Sequence, residues 1–301
     1  MCDASAAVPI DQRTFIVADD EDNVLRAYDV ERPGPPLWSV DVSSGIGVSG
    51  KPGKPGKPVK APPEADIEAA TRLGELAFWM TSHGRNSKAK LKPERLKLFA
   101  TSVPTPGAPQ LSVVGEPYGG LLDDLLSHPS LEPFHLSEAA ELAPKAPGGF
   151  NLEGMAERLD GGVWMGFRNP IPGGKALVIS LLNPEQVVRG QKAALGEPRL
   201  LELGGWGVRA LSQHAGRYLI LAGPFASVPG ARLYTWDGVG EPRLVAADAL
   251  SGLSPEGFFS PVGSADVLVL SDDGSVPIDG RECKSLTDAA QKRFRARWIR
   301  P

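Results

Sequence analysis

FNLEGMAERLDGGVWMGF, residues Phe150–Phe167, holds two apolar segments separated by Asp160, Gly161 and Gly162. Apolar and aromatic runs bounded by Asp and Gly read as two strands joined by a tight turn. The second segment, VWMGF, is apolar enough to be buried on both faces. The first carries Glu153 among apolar neighbours, and a buried carboxylate without a partner is costly. A strand that begins on such a charge needs water, an arginine or a cation at that end.

The pattern recurs along the chain. Glu68 precedes FWMTS (78–82) and His83, Arg209 precedes YLILAG (218–223), and Glu256 precedes DVLVLS (266–271) with Asp272 and Asp273. At the start of the chain Ser5 precedes FIVAD (15–19) and Asp20. Third and fourth apolar segments follow: VLRAYDV and LWSVDV, RLKLFAT and QLSVVG, KALVISLL and PRLLELG, ARLYTWD and PRLVAAD. Four strands per copy, repeated in register, are the mark of a β-propeller, whereas a sandwich with chance similarity would not keep anchor and strand in step. The expected fold is therefore all-β: one five-bladed propeller of four-stranded antiparallel sheets spanning 1–301, with repeat starts near 3, 66, 151, 207 and 254.

Two stretches interrupt the repeats. SGKPGKPGKPVKAPPE (49–64) is Lys/Pro/Gly-rich and reads as a solvated low-complexity loop. Residues 118–149 contain LLDDLLSH and SEAAELA, whose spacing suits a helical insertion packed on the propeller surface. KSLTDAAQKRF (284–294) reads as a further short helix. The last copy shows one clear strand after DVLVLS, in RFRARWIR (293–300), and no strand ahead of the first copy to complete it. Either the ring closes imperfectly or upstream residues are missing, and missing residues are the expected reason.

Bulk composition narrows the function classes. The 301 residues are 42% hydrophobic, enough for a sizeable core. A net charge of −4, from 32 basic and 36 acidic residues, argues against a general nucleic-acid binder. The start, MCDASAAVPIDQRTF, has no basic region followed by an apolar one, and no apolar run approaches the roughly 18 residues of a membrane span. No membrane association and a cytoplasmic location are the expectations. The two cysteines, Cys2 and Cys283, form neither a disulfide framework nor a metal-ligand spacing. There is no GxSxG, and no serine stands in a pattern that pairs it with His and Asp.

In an antiparallel hairpin the start of the first strand lies beside the end of the second. Each anchor should thus meet the polar residues that close its hairpin, and all should converge on one mouth of the channel. Glu68, Glu153 and His83 are the candidate catalytic residues. Arg85, Asn86, Arg168, Asn169, Arg209, Asp20 and Asp272 are the candidate ligand-binding residues. Carboxylates facing a wet channel suit an oxygen-ligand cation such as Ca²⁺, with Glu68, Glu153 and Glu256 as the candidate ligands. The arginines suit a small anionic ligand, and His83 could move a proton. Equally, polar residues at a propeller mouth can pair with one another and only hold blades in register.

CDASAAV, VADDEDNVLRAYD, DIEAATRL, TSHGRN, ERLKLFA, FNLEGMA, VWMGFRNP and KALVISLLNP together resemble a bacterial family of uncharacterised propeller proteins, a domain of unknown function. That resemblance implies a propeller and no established activity. More distantly, DIEA, NLEG and PEGF are similar to the blade motifs of β-propeller phytases and esterase-like propellers. The likeness implies Ca²⁺ at the mouth, bound by Glu68, Glu153 and Glu256, and a metal-assisted ester or phosphoester hydrolase. Two anchors, Ser5 and Arg209, depart from that motif, and five repeats stand where those phytases have six blades. Two functions follow as expectations: a hydrolase of a phosphorylated or other anionic small molecule, or a non-catalytic propeller that binds a ligand or another protein.

Overall fold

The computed structural model describes residues 1–50, 60–104, 110–246 and 248–301. Most of the expected Lys/Pro/Gly loop, residues 51–59, lies outside the described residues. Blade 1 comprises β1 (Ala6–Pro9), β2 (Thr14–Ala18), β3 (Val24–Asp29) and β4 (Trp38–Asp41). Blade 2 comprises β5 (Ile67–Leu73), β6 (Leu76–Thr81), β7 (Leu98–Ser102) and β8 (Val113–Tyr118). β8 starts later than QLSVVG suggests. Blade 3 comprises β9 (Asn151–Glu157), β10 (Val163–Asn169), β11 (Ala176–Leu181) and β12 (Arg199–Leu201). Blade 4 comprises β13 (Gly207–His214), β14 (Arg217–Gly223), β15 (Arg232–Trp236) and β16 (Arg243–Ala246). Blade 5 starts with β17 (Pro255–Phe259) and β18 (Val267–Ser271). A small hairpin of β19 (Pro277–Ile278) and β20 (Arg281–Glu282) follows, and β21 (Ala296–Ile299) then completes the sheet.

All five sheets are antiparallel meanders, so the fold is the expected all-β propeller of five blades. Blades 1 to 4 have four strands each, and blade 5 has three, in the order β17-β18-β21. The inner strands β1, β5, β9, β13 and β17 pack in sequence, and β17 packs back on β1.

Strand alternation explains why the second strands are continuously apolar. Successive side chains of β6 point to opposite faces. Phe78 and Met80 face blade 3, while Ala77 and Trp79 face blade 1. The same division gives one apolar cluster per blade interface, such as Trp164 and Trp236 between blades 3 and 4, and Phe15 and Phe259 between blades 5 and 1. Glycine keeps the inner strands close: a Cβ on Gly207 would lie 2.0 Å from the Arg168 carbonyl oxygen, and one on Gly154 would lie 2.6 Å from Val208 Cγ1.

The helical insertion is real. α1 (Leu121–Leu126) and α2 (Leu136–Ala139) bury Leu121, Leu125 and Leu136 in the cluster between blades 2 and 3, so the segment extends an interface as well as covering it. A third short helix, α3 (Pro184–Val187), lies between β11 and β12. The helix expected in 284–294 is absent: only a single 3-10 turn, Cys283–Ser285, forms there. No helix among the described residues is long and apolar enough to cross a membrane.

Blade 5 has the strands legible in the sequence and no fourth. Among the described residues no strand from one terminus completes the sheet of the other. Instead the Asp273 amide donates to the Cys2 carbonyl at 3.0 Å, and Cys2 and Cys283 form a disulfide. The cysteines, which form no disulfide framework, are thus a single clasp. Their separation of 281 positions hid the pairing.

Candidate functional site at the channel mouth

Every anchor sits where its strand leaves the ladder. In β5 the register runs Ile67 to Thr81 and then Ala69 to Met80, which skips Glu68. Glu153 is skipped between Leu152 and Gly154, Arg209 between Val208 and Ala210, and Glu256 between Pro255 and Gly257. A bulge inserts one unpaired residue and turns its side chain. Here four bulges occur at equivalent positions and point four charged side chains to one end of the ring. In blade 1 the corresponding Ser5 hydroxyl donates to the Ile67 carbonyl at 2.6 Å, tying blade 1 to blade 2.

The anchors divide into two groups. Glu153 is 2% exposed and accepts from Arg168 Nη1 at 2.7 Å and from Asn151 Nδ2 at 2.6 Å. Arg168 also donates through Nε to the Pro224 carbonyl, at 3.1 Å. Burial disfavours the Arg168 cation, but Glu153 and Glu256 outweigh it and push its pKa above the ordinary value. Glu256 accepts from Arg209 Nη1 at 2.8 Å, and burial raises its pKa despite that partner.

The second group is acidic, and in it only Asp66 has an arginine partner among the described residues. Carboxylate oxygens of Asp20, Asp66 and Glu68 lie within 4.8 Å of one another, and those of Asp3, Asp19 and Asp20 form a second group of the same size. Asp20 belongs to both, and its Oδ1 is buried without a hydrogen-bond partner. Burial, reinforced by neighbouring carboxylates, raises Asp20 and Glu68 well above the carboxylate range. Burial and a hydrogen bond with Asp272 push Asp3 up to about 8, and burial pushes Asp19 up to about 7. Asp66 is raised less, because Arg95 bonds it at 2.8 Å while also holding Glu64 at 2.7 Å.

The expected metal triad therefore does not assemble. Glu68 joins Asp20 and Asp66, whereas arginines hold Glu153 and Glu256. Other candidates serve the insertion. Arg85 donates to the Ala140 carbonyl at 2.7 Å and pairs with Glu141 at 2.5 Å. Asn169 donates to the carbonyls of Pro144 and Ala146. Asn86 accepts from the amides of Lys88 and Lys90 and shapes its own turn. His83 is 2% exposed, its Nδ1 contacts the Thr81 carbonyl at 2.8 Å, and burial lowers its pKa to about 4. It is neutral at physiological pH and faces no carboxylate of the cluster within ion-pairing distance. Asp272 caps the Gly274 amide at 2.9 Å and reaches the mouth through Asp3.

Asp66, Arg95 and Asn151 escaped the sequence reading. The signal was available for two of them. A polar residue stands two positions before an anchor in Asp3/Ser5, Asp66/Glu68, Asn151/Glu153 and Ser254/Glu256. Behind the mouth the bore is nearly filled by the inner strands, leaving a cavity of about 10 Å³ beside Glu68, Glu153, Met155 and Phe258. On the opposite end of the ring His214 Nδ1 contacts the Ser260 hydroxyl at 2.6 Å, which joins blades 4 and 5 far from these carboxylates.

Comparison with known proteins adds little chemistry. No curated protein matches the chain. Three solved structures that match share 8–12% of positions, and their TM-scores of 0.38–0.40 carry no inference beyond general likeness. One is a structural-genomics protein of unknown function from Bacteroides thetaiotaomicron, with 9% identity and a TM-score of 0.39. It covers 89% of this chain, which spans about half (52%) of that protein. Another is virginiamycin B lyase from Staphylococcus aureus, with 8% identity, a TM-score of 0.38, and coverage of 93% of this chain and 83% of that one. A third is an α-L-arabinofuranosidase from Clostridium thermocellum, with 12% identity, a TM-score of 0.40, and coverage of 89% and 81%. Residues 115–251, from β8 to the end of blade 4, match the model of the family described as "Protein of unknown function (DUF3616)", and over that stretch the resemblance to an uncharacterised propeller family holds.

Proposed function

We propose that the channel mouth binds a divalent cation between blades 1 and 2 and, through it, a small anionic molecule. The observation that carries this reading is Asp20. It is shared by two carboxylate groups, and its Oδ1 is buried with no hydrogen-bond partner. Clustered carboxylates raise one another's pKa unless a cation compensates them. Oxygen-only ligands suit Ca²⁺ or Mg²⁺, with Asp20, Asp66 and Glu68 as the ligands and Asp3 and Asp19 at the edge. Arg168 Nη2 and Arg209 Nε, buried without hydrogen-bond partners, are the donors left for an anion.

The nearly filled bore means a substrate would rest on the mouth, not enter the channel. If the site is catalytic, the cation would polarise an ester or phosphoester oxygen and activate water. A non-catalytic ligand-binding propeller is the second reading. It is favoured by His83, the expected proton carrier, which is buried and neutral and held by a backbone carbonyl.

Chelated protein titrated with Ca²⁺ or Mg²⁺ should show a rise in melting temperature that saturates. Asp20→Asn and Glu68→Gln should abolish the rise while the protein stays folded. No rise with any divalent cation would reject the site. A rise without turnover in a phosphoester and sugar-ester screen would favour the second reading.

A further inference from the structure

We propose that a cleft between blades 3 and 4 binds a small neutral sugar. It lies at the end of the ring away from the carboxylates, where the β9–β10 turn carries Leu159 and Asp160 and β15 runs out into Asp237 and Val239. The cleft holds about 350 Å³, the size of a small-molecule site. Strand register sets its inner wall. Trp164 stands opposite Ser180 in the β10–β11 ladder, so their side chains share the face of blade 3 that packs on blade 4. Tyr218 of β14 lines the same cleft from blade 4.

Three buried donors of this wall lack an acceptor. Trp164 is 5% exposed, and its Nε1 is buried without a hydrogen-bond partner. Ser180 is 2% exposed, and its hydroxyl has no partner among the described residues. Gly196 leaves that hydroxyl uncovered, since a Cβ there would lie 2.4 Å from Ser180 Oγ. The Tyr218 oxygen accepts from the Leu159 amide at 2.9 Å, and its own hydrogen finds no acceptor among the described residues. Buried donors left unmade are costly, and oxygen atoms of a ligand would take them up.

The rim selects the ligand class. Arg158 and Arg199 hold their guanidinium carbons 4.7 and 5.9 Å from the Trp164 ring centroid. Asp160, Glu197 and Asp237 line the same cleft, and Asp160 accepts from Arg158 Nε at 2.8 Å. An ion of either sign would meet like charge on this rim, whereas a hydroxyl group can accept from an arginine and donate to a carboxylate. Leu159 and Val239, 55% and 75% exposed, offer apolar edges to the C–H face of a sugar ring.

Titrations of the full chain in chelating buffer test this independently of the cation site. At least one of D-glucose, D-galactose, D-mannose and D-xylose should shift the assigned indole N–H resonance of Trp164 to saturation. Ser180→Ala removes a hydroxyl and little volume. It should keep at least the wild-type melting temperature and weaken that sugar by about three- to tenfold. Arg199→Ala, at an exposed position, should stay folded and weaken it as well. D-Glucuronate and D-glucosamine should bind no more tightly than D-glucose. No saturable shift with any of these sugars would overturn the proposal and leave the indole to a trapped water. Wild-type affinity in either variant, or tighter binding of a charged analogue, would overturn it too.

Discussion

Glu153 and Arg168 face each other across the β9–β10 hairpin at 2.7 Å, and each is 2% exposed. Their burial makes the bond a structural commitment of blade 3. Asn151 supplies a second donor to the same carboxylate oxygen, so the glutamate is bonded from both sides.

Removing one partner of this pair leaves the other buried and uncompensated. Arg168→Ala should destabilise the protein by about 3–5 kcal/mol, and Glu153→Ala by a similar amount. The double variant Glu153→Leu/Arg168→Met should lose less than the sum of the two. Urea denaturation of the four proteins checks this. Additive losses would show that the two side chains do not act as a pair.

Gly207→Ala should also cost stability, by about 1–3 kcal/mol or more, because the new methyl group meets backbone and not a movable side chain. Wild-type melting behaviour in this variant would mean that β10 and β13 are less closely packed than described.

Two opposed pH effects are expected in chelating buffer. His83 has a folded pKa lowered from 6.5 to about 4. Its contribution is present above 6.5 and lost as pH falls towards 4. Asp3 has a folded pKa raised from 3.8 to about 8. Its contribution is present below 3.8 and lost as pH rises through about 8. Between pH 6.5 and 8 the carboxyl effect should dominate, so metal-free protein should melt lower at pH 8 than at 6.5. Asp3→Asn should reduce that difference, and His83→Gln should reduce the loss seen from 6.5 down to 4. Melting curves that do not respond to either variant would contradict the assignment.

The Cys2–Cys283 disulfide should resist loss of the clasp at the ring seam. Closing a loop of 281 positions restrains the unfolded chain by roughly 5.6 kcal/mol in the chain-entropy treatment. Reduction, or Cys2→Ser, should lower the urea midpoint towards that extent and leave strand content unchanged by circular dichroism. A cross-linked peptide containing both cysteines should appear on non-reducing mass spectrometry.

Particular residues show what the sequence could reveal. The inner strands announced themselves because a charge at Glu68, Glu153 or Glu256 precedes an apolar strand at nearly constant distance, and hairpin geometry turns that spacing into a contact. The Glu153–Arg168 pair follows from this rule. Arg85, Asn86 and Asn169 stand at equivalent positions yet serve their own turn or the 118–149 insertion, whose packing site depends on tertiary contacts that no local pattern encodes. Asp66 and Arg95 were missed because Arg95 reaches back from the loop before β7, outside the hairpin that the spacing describes. The clasp was hidden for the same reason, since its two halves meet only after the ring is complete.

The bulges carry a consequence for how such a protein can change. An anchor that takes no part in the ladder can be replaced without altering the pairing of its strand. Five blades already use glutamate three times, arginine once and serine once at this position. Where no arginine holds the anchor, as at Glu68, the rim is therefore a socket on a fixed frame, and a single substitution can alter the charge offered to a ligand while the sheet beneath keeps its register.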